Sequence, residues 1–231
     1  MSKSTAAGRA FATYALSIGA IELLPNGRKL KSGRVSPYFF NSGLFNTGQA
    51  IASLGAGYAG VIMEADPEVG LGPEVLYGRA YKGIALVVAT SMVLSGEHSS
   101  YQDLGWAFNR KEPKDHGEGG LIVGTPLASK RVLILDDVTT NGDSKREAIK
   151  IIVAEGGIPV GCVVAFDRQE RGDDLSDPRS AMKILQAEIG IPMLAAATLE
   201  DLIQVLEEGA DFPGASETLP LIIAYRDQYG A

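Results

Sequence analysis

Residues 132–144 read Val-Leu-Ile-Leu-Asp-Asp-Val-Thr-Thr-Asn-Gly-Asp-Ser and hold the most informative reactive groups of the chain. Asp136 and Asp137 are adjacent carboxylates, which accept hydrogen bonds and donate none. They suit the hydroxyls of a sugar and are a poor place for a phosphate. Thr139 to Ser144 then bring small residues, hydroxyls and one glycine, directly before a helical pattern. Backbone N–H groups at a helix start hold phosphate well. A ribose gripped by acids, with its 5′-phosphate cradled alongside, satisfies both halves. The spacing alone equally fits a solvated strand-end turn with two surface acids.

Four other clusters carry charge in suggestive places. Arg110 to Gly119 mixes Arg110, Lys111, Lys114 and His116 with three acids and no large apolar side chain. Such a loop cannot fasten itself by burial, and on composition alone a solvated surface loop is the simpler account. Tyr81-Lys82-Gly83 follows a short strand candidate and opens an apolar helix. Gly78 and Gly83 permit close backbone approach and Lys82 offers a point charge to a diphosphate, although an ordinary strand–helix turn reads the same way. Lys31-Ser32-Gly33 on its own is an exposed turn, and Asp167-Arg168 a surface ion pair.

The elements that position these groups alternate between helix and strand. Residues 5–20 place Phe11, Tyr14, Ala15 and Ile18 on one helical face, and a second helix carries Ile51, Leu54 and Tyr58. Glu74 to Tyr77 is a strand candidate, followed by a helix over about 84–94 that is apolar nearly all round and so expected to be buried. Trp106 to Phe108 and Leu121 to Val123 are further strands. Val132 to Leu135 and Val160 to Phe166 are continuous apolar runs of the buried parallel kind. Ile149, Ile152 and Val153 mark a helix stopped by Gly156-Gly157. Asp177-Pro178 is expected to start a helix ending near Gly190, Pro192 to Ala197 a last strand, and Thr198 to Asp201 a capping box. The alternation predicts an α/β fold, with a mostly parallel central sheet and helices on both faces. In such sheets ligands lie beyond the carboxyl ends of the strands, where the acid pair falls.

A chain of 231 residues, 45% hydrophobic and 21% charged, suffices for one domain with a sizeable core. Its formal net charge of −7 disfavours nucleic acid, which needs a positive surface field. No apolar stretch approaches the ~20 residues of a membrane helix, and the first residues lack a signal-peptide core. One cysteine, Cys162, fits a small core residue and a reducing, cytoplasmic setting.

The 132–144 segment resembles the ribose-5-phosphate signature of type I phosphoribosyltransferases, an apolar strand, two acids and a Thr/Gly-rich loop. Three segments narrow the resemblance to the orotate phosphoribosyltransferase family: Lys31-Ser32-Gly33-Arg34-Val35-Ser36-Pro37-Tyr38-Phe39-Phe40-Asn41, Arg110-Lys111-Glu112-Pro113-Lys114-Asp115-His116-Gly117-Glu118-Gly119, and Asp167-Arg168-Gln169-Glu170-Arg171-Gly172. With Tyr81-Lys82-Gly83 they occur in the family's order over nearly the whole chain. The resemblance implies one phosphoribosyltransferase domain over residues 1–231, with a small hood built mainly from the N-terminal segment. It implies transfer of ribose 5-phosphate from 5-phospho-α-D-ribose 1-diphosphate to N1 of orotate, giving orotidine 5′-monophosphate and diphosphate in de novo pyrimidine synthesis. Mg²⁺ is expected to travel on the diphosphate, with no dedicated protein ligands. A cytoplasmic homodimer is expected, the 110–119 lid shared across its interface.

Carried over by residue, the catalytic groups implied are Lys82, Lys114, His116 and Asp137. Donor contacts fall on Lys31, Tyr81, Lys82, Arg110, Lys111, Lys114, His116, Asp136, Asp137, Val138, Thr139, Thr140, Asn141, Gly142, Asp143 and Ser144. Orotate contacts fall on Phe39, Phe40, Thr140 and Arg168, with the two phenylalanines flanking the ring and the guanidinium taking the carboxylate. Two positions depart from the family. Asp143 replaces a phosphate-binding hydroxyl residue and is expected to turn away and cap the next helix, and Arg79 stands where Pro or an aliphatic residue is usual. Rival readings keep the fold but change the base to a purine or uracil, or make the chain a non-catalytic sensor of the donor. Phe39, Phe40 and Arg168 argue against the first; the charged lid and the lack of a partner-binding module argue against the second.

Overall fold

The structure, a computed structural model, describes residues 4–114, 120–139, 142–209 and 211–231, apart from the side chains of Pro113 and Lys114. In chain order the elements are α1 (Ala6–Ser17), β1 (Ile21–Lys29), β2 (Val35–Phe40), α2 (Gly48–Val69), β3 (Val75–Arg79), α3 (Lys82–Glu97), β4 (Gly105–Lys114) and β5 (Gly120–Gly124). They continue with β6 (Arg131–Val138), α4 (Asp143–Ala154), β7 (Ile158–Asp167), α5 (Ala181–Ile189), β8 (Met193–Thr198), α6 (Leu199–Glu207) and α7 (Ala215–Tyr229).

Six strands form one sheet in the order β5-β4-β3-β6-β7-β8, parallel throughout except for the β4–β5 hairpin. Successive side chains on a strand face opposite ways. Thus Leu76, Leu133, Leu135, Val163 and Ala165 join one core with residues of α1, α2 and α3. Tyr77, Val132, Ile134, Cys162 and Val164 join the other, with Ala148 and Ile152 of α4 and Met182 and Leu185 of α5. A sheet buried on both sides requires apolar residues on both faces of its strands, as Val132–Leu135 of β6 and Val160–Phe166 of β7 supply. The expectation of a mostly parallel α/β fold is met.

Helix ends follow local chemistry. Thr5 and Thr47 accept from Gly8 and Ala50 N–H groups at the starts of α1 and α2. Thr198 and Asp201 form the reciprocal capping box expected at α6. The expected start of α5 at Asp177-Pro178 is corrected. The helix begins at Ala181, where Ser180 accepts from the Lys183 N–H, and Asp177 is occupied by the Arg179 guanidinium. The exposed Asp177–Arg179 pair outcompetes a cap that would need the helix one turn earlier. The expected burial of α3 holds on its sheet side only, since Met92 is 69% exposed.

A separate two-stranded sheet, β1 with β2, was not foreseen as strands. Pro25, Asn26 and Gly27 interrupt β1, where the register shifts between Leu23 and Arg28, and Pro37 interrupts β2. Tyr38 and Phe40 of β2 anchor this pair on Phe166 of β7, and Tyr38 also meets Tyr225 of α7 edge-on. The chain then returns to the strand end of β7. Tyr229 O accepts from the Arg171 N–H, the Ala231 N–H donates to Gln169 O, and Gln228 O accepts from the Arg171 guanidinium. Among the described residues, no helix is long and apolar enough to cross a membrane.

Candidate active site

The carboxyl end of β6 delivers two acids to opposite sides of the sheet. Asp137 turns toward α3 and the short 3-10 turn Ser42–Leu44. Its Oδ2 accepts from Lys82 Nζ at 2.8 Å and from Ser42 Oγ at 3.0 Å, and its Oδ1 accepts from the Val138 N–H at 2.9 Å. Burial pushes the Asp137 carboxyl up, but Lys82, the Val138 N–H and Ser42 outweigh it and leave the pKa below the ordinary carboxylate value. Lys82 is itself 67% exposed, so this cation is held at the mouth of the cleft and is free to change partner.

Asp136 turns toward α4. Its Oδ2 accepts from Ser144 Oγ at 2.8 Å and pairs with Lys145 Nζ at 2.7 Å, while its Oδ1 accepts from the Asp137 N–H. Tyr58 of α2 fixes the same strand end, donating to Asp136 O at 2.6 Å. Val138 continues the strand, paired with Phe166. Thr139 Oγ1 is buried with no hydrogen-bond partner among the described residues, a donor ready for a ligand oxygen. Thr140 and Asn141 lie outside the described residues. Gly142 is left-handed, at φ 80°, and starts α4; a side chain there would strike Leu185. Asp143 does turn outward, but to the Arg146 guanidinium at 3.2 Å, leaving the cap to Gly142.

The turn from β3 into α3 is built on backbone contact. A Cβ on Gly78 would collide with Gly83, and the reverse holds for Gly83. The close approach foreseen for these glycines is therefore between strand end and helix start, which brings Lys82 to the cleft. Asn109 of β4, buried and unforeseen, organises the turn: its Oδ1 accepts from Tyr77 Oη at 2.9 Å and from the Ala80 N–H at 3.4 Å. The Ala80–Tyr81 peptide bond is cis. Arg79, the departure from the family pattern, reaches Glu147 of α4 at 2.8 Å, away from Lys82. Tyr81 is 69% exposed and carries Lys111 Nζ 4.7 Å from its ring centroid. Arg110 donates across the hairpin to the carbonyls of Gly120 and Ile122, both at 3.3 Å. Lys114 is the last residue of β4; its side chain and His116 lie outside the described residues.

A second cluster sits at the end of β7. Arg168 lies 4.2 Å over the ring of Tyr38, donates from Nε to Glu170 Oε1 at 2.6 Å, and from Nη2 to Ser36 Oγ at 2.8 Å. Burial opposes its charge, yet Tyr38, Glu170 and Tyr225 around it hold its pKa above the ordinary arginine value. Glu170 is shared with Arg34, at 3.0 Å. This is no surface ion pair of Asp167 with Arg168; the arginine is paired with Glu170. Phe39 and Phe40 face opposite ways from β2. Phe40 stacks on Phe166 in the core, 5.6 Å between centroids, while Phe39 lies under Arg28. They do not form one sandwich. Lys31 is exposed in the turn joining β1 to β2.

Acids at the end of a central parallel strand, a helix start beside them and a buried arginine at the end of the neighbouring strand fit the type I phosphoribosyltransferase fold. No family model matches the chain. It is 43% identical over 222 residues to an orotate phosphoribosyltransferase from Bordetella avium, covering 95% of this chain and 96% of that protein. An orotate phosphoribosyltransferase from Nitrosococcus oceani is 50% identical over 201 residues, covering 87% and 86%. The crystal structure of the Francisella tularensis orotate phosphoribosyltransferase superposes with a TM-score of 0.78 at 35% identity, covering 96% of this chain and all of that one. The chain belongs to the orotate phosphoribosyltransferase family, which are pentosyltransferase enzymes of pyrimidine synthesis.

Proposed function

We propose that this chain transfers ribose 5-phosphate from 5-phospho-α-D-ribose 1-diphosphate to N1 of orotate, with the acid pair of β6 at the ribose and Arg168 at the base. The observation that carries this is the Lys82–Asp137 pair at the cleft mouth, where an exposed cation guards the acid that a sugar hydroxyl would seek. In the expected transition state positive charge grows on the ribose and negative charge on the leaving diphosphate. Asp136 and Asp137 favour the first; Lys82, Lys114 and His116 favour the second, with Lys114 the principal cation. Groups already placed for both charges need little reorganisation.

Donor contacts are assigned to Lys31, Tyr81, Lys82, Arg110, Lys111, Lys114 and His116 at the diphosphate, and to Val138 through Ser144 at the 5′-phosphate. The unpartnered Thr139 Oγ1 supports the latter. Thr140, Phe39 and Phe40 are kept with Arg168 for orotate, Phe40 acting from the core by holding β2 in place. Mg²⁺ fits as an ion carried on the donor, since the carboxylates of Asp136 and Asp137 are each already met by a lysine; when bound it supplies charge neutralisation to the diphosphate.

The chain works in the cytoplasm as one domain of residues 1–231, hooded by its N-terminal segment, and as a homodimer whose lid reaches the neighbouring site. Exposed Met92 and the stacked, partly exposed Trp106–Phe108 pair lie on the same side of the sheet and suit such an interface. The test is orotate consumption with the donor and Mg²⁺, against uracil and hypoxanthine. Turnover with orotate alone is expected; equal turnover of all three bases overturns the assignment.

A further inference from the structure

Lys145 is the most deeply buried cation described in the molecule, at 1% side-chain exposure, and nothing in the reaction as set out above uses it. Its position is costly. It stands in the first turn of α4, where the helix dipole favours anions and disfavours a lysine. A buried ammonium persists only when paired and hydrogen-bonded. Here Nζ meets Asp136 Oδ2 at 2.7 Å and also donates to Val138 O. Ser144 Oγ reaches the same Oδ2, and Lys145 also bonds Val138 O, so the start of α4 is tied to the end of β6 through one carboxylate and one carbonyl.

The contrast with Asp137 is instructive. Its lysine, Lys82, is two-thirds exposed and can swing to an incoming anion; Lys145 is enclosed and cannot. Two adjacent carboxylates beside a polyanionic donor would repel it unless one stayed neutralised throughout. From this geometry we infer that Lys145 is a positioning residue, the permanent internal counter-ion that neutralises Asp136 and pins the root of the phosphate loop while Lys82 is free to leave for the diphosphate. The inference rests on the donor site proposed above and adds to it a residue outside the ligand-contacting set.

The test compares wild type, Lys145→Gln, Asp136→Asn/Lys145→Gln and Lys82→Gln by titration calorimetry of the donor with Mg²⁺ between pH 5.5 and 8.5, without orotate. Glutamine keeps hydrogen-bonding capacity and removes only the charge. Lys145→Gln should bind the donor at least tenfold more weakly at pH 8. Its deficit should shrink at pH 5.5, because acid relieves a carboxylate left without its counter-ion. The double variant should recover at least half of the lost affinity on a logarithmic scale. Lys82→Gln should lose affinity at both pH values, because the cation itself meets the donor, and acid should restore less of it than in Lys145→Gln. A deficit equal at both pH values, or a double variant no better than the single one, overturns the inference. If Lys145→Gln does not fold, a double variant that folds and binds donor supports the charge role, and one that also fails to fold overturns it. Wild type that binds no donor defeats the functional reading itself; wild-type binding with unaffected variants defeats only the role of Lys145.

Discussion

Lys82 Nζ stands 2.8 Å from Asp137 Oδ2, joining the first residue of α3 to the last turn of the β6 strand across the cleft. The pair holds Asp137 ionised against its burial. A carboxyl with a lowered folded-state pKa contributes stability that is present above its unfolded value of 3.8 and is lost as pH falls through the folded value. In wild type this loss therefore falls entirely in the acid range. Lys82→Met leaves only the Val138 N–H and Ser42 to oppose burial, so the folded pKa rises and this contribution shrinks, read as a thermal midpoint that falls less steeply on acidification than in wild type. At neutral pH the exposed pair is worth no more than ~1 kcal/mol, and the midpoint there should change little.

Base choice should depend on Arg168. Its Nε and one Nη2 hydrogen are committed to Glu170 and Ser36, leaving the remaining edge for a carboxylate. Uracil, lacking that group, leaves the edge unpaired at a cost of ~1–3 kcal/mol, or roughly tenfold to a hundredfold in kcat/KM. Arg168→Lys should erase most of this preference, because an ammonium cannot reproduce the fork. Similar selectivity in the variant would show that the carboxylate is recognised elsewhere.

The two neighbouring phenylalanines should separate stability from activity. Phe40 stacks on Phe166 within the core, and Phe40→Ala should cost ~3–5 kcal/mol in denaturant unfolding. Phe39 is partly exposed against Arg28, and Phe39→Ala should leave stability nearly intact while raising KM for orotate. A large unfolding penalty for Phe39→Ala would contradict the alternation of β2.

On the lid, Lys114→Ala should lower kcat by ~10²–10³ with little change in donor affinity, as for loss of one group that meets charge only in the transition state. Lys111→Ala breaks the contact with Tyr81 and should act mainly on donor KM. Steady-state and single-turnover kinetics separate the two. A Lys114→Ala enzyme with normal kcat and raised KM would remove that lysine from the chemistry.

If the lid serves the neighbouring subunit, mixing Lys114→Ala chains with Asp137→Asn chains should restore activity, since one hybrid site gathers both intact residues. Heterodimers purified with two different tags and showing no recovery would place the lid on its own subunit.

The central strands were legible because burial on both faces demands unbroken apolar runs, and Val132–Leu135 and Val160–Phe166 supply them. The β1–β2 pair was not, because its prolines and Gly27 break every local strand pattern and its partners, Phe166 and Tyr225, lie far along the chain. The acid pair announced itself by position, but the division of the two acids between opposite faces needed the strand's register. Ser42, Asn109 and Lys145 left no local signal. Each is an ordinary polar residue whose role arises only where the fold closes it against Asp137, the Ala80 turn or Asp136. Helix α7 was passed over as well, its pattern interrupted by Pro220.

Residues 228–231 are sewn to residues 169–171, one step beyond the arginine proposed to meet the base. A frameshift, an early stop or a bulky tag at this end would thus not be a remote injury. By loosening Glu170, which clasps Arg168, it would read out as a catalyst that still folds and still takes the sugar donor but has grown careless about which ring it joins.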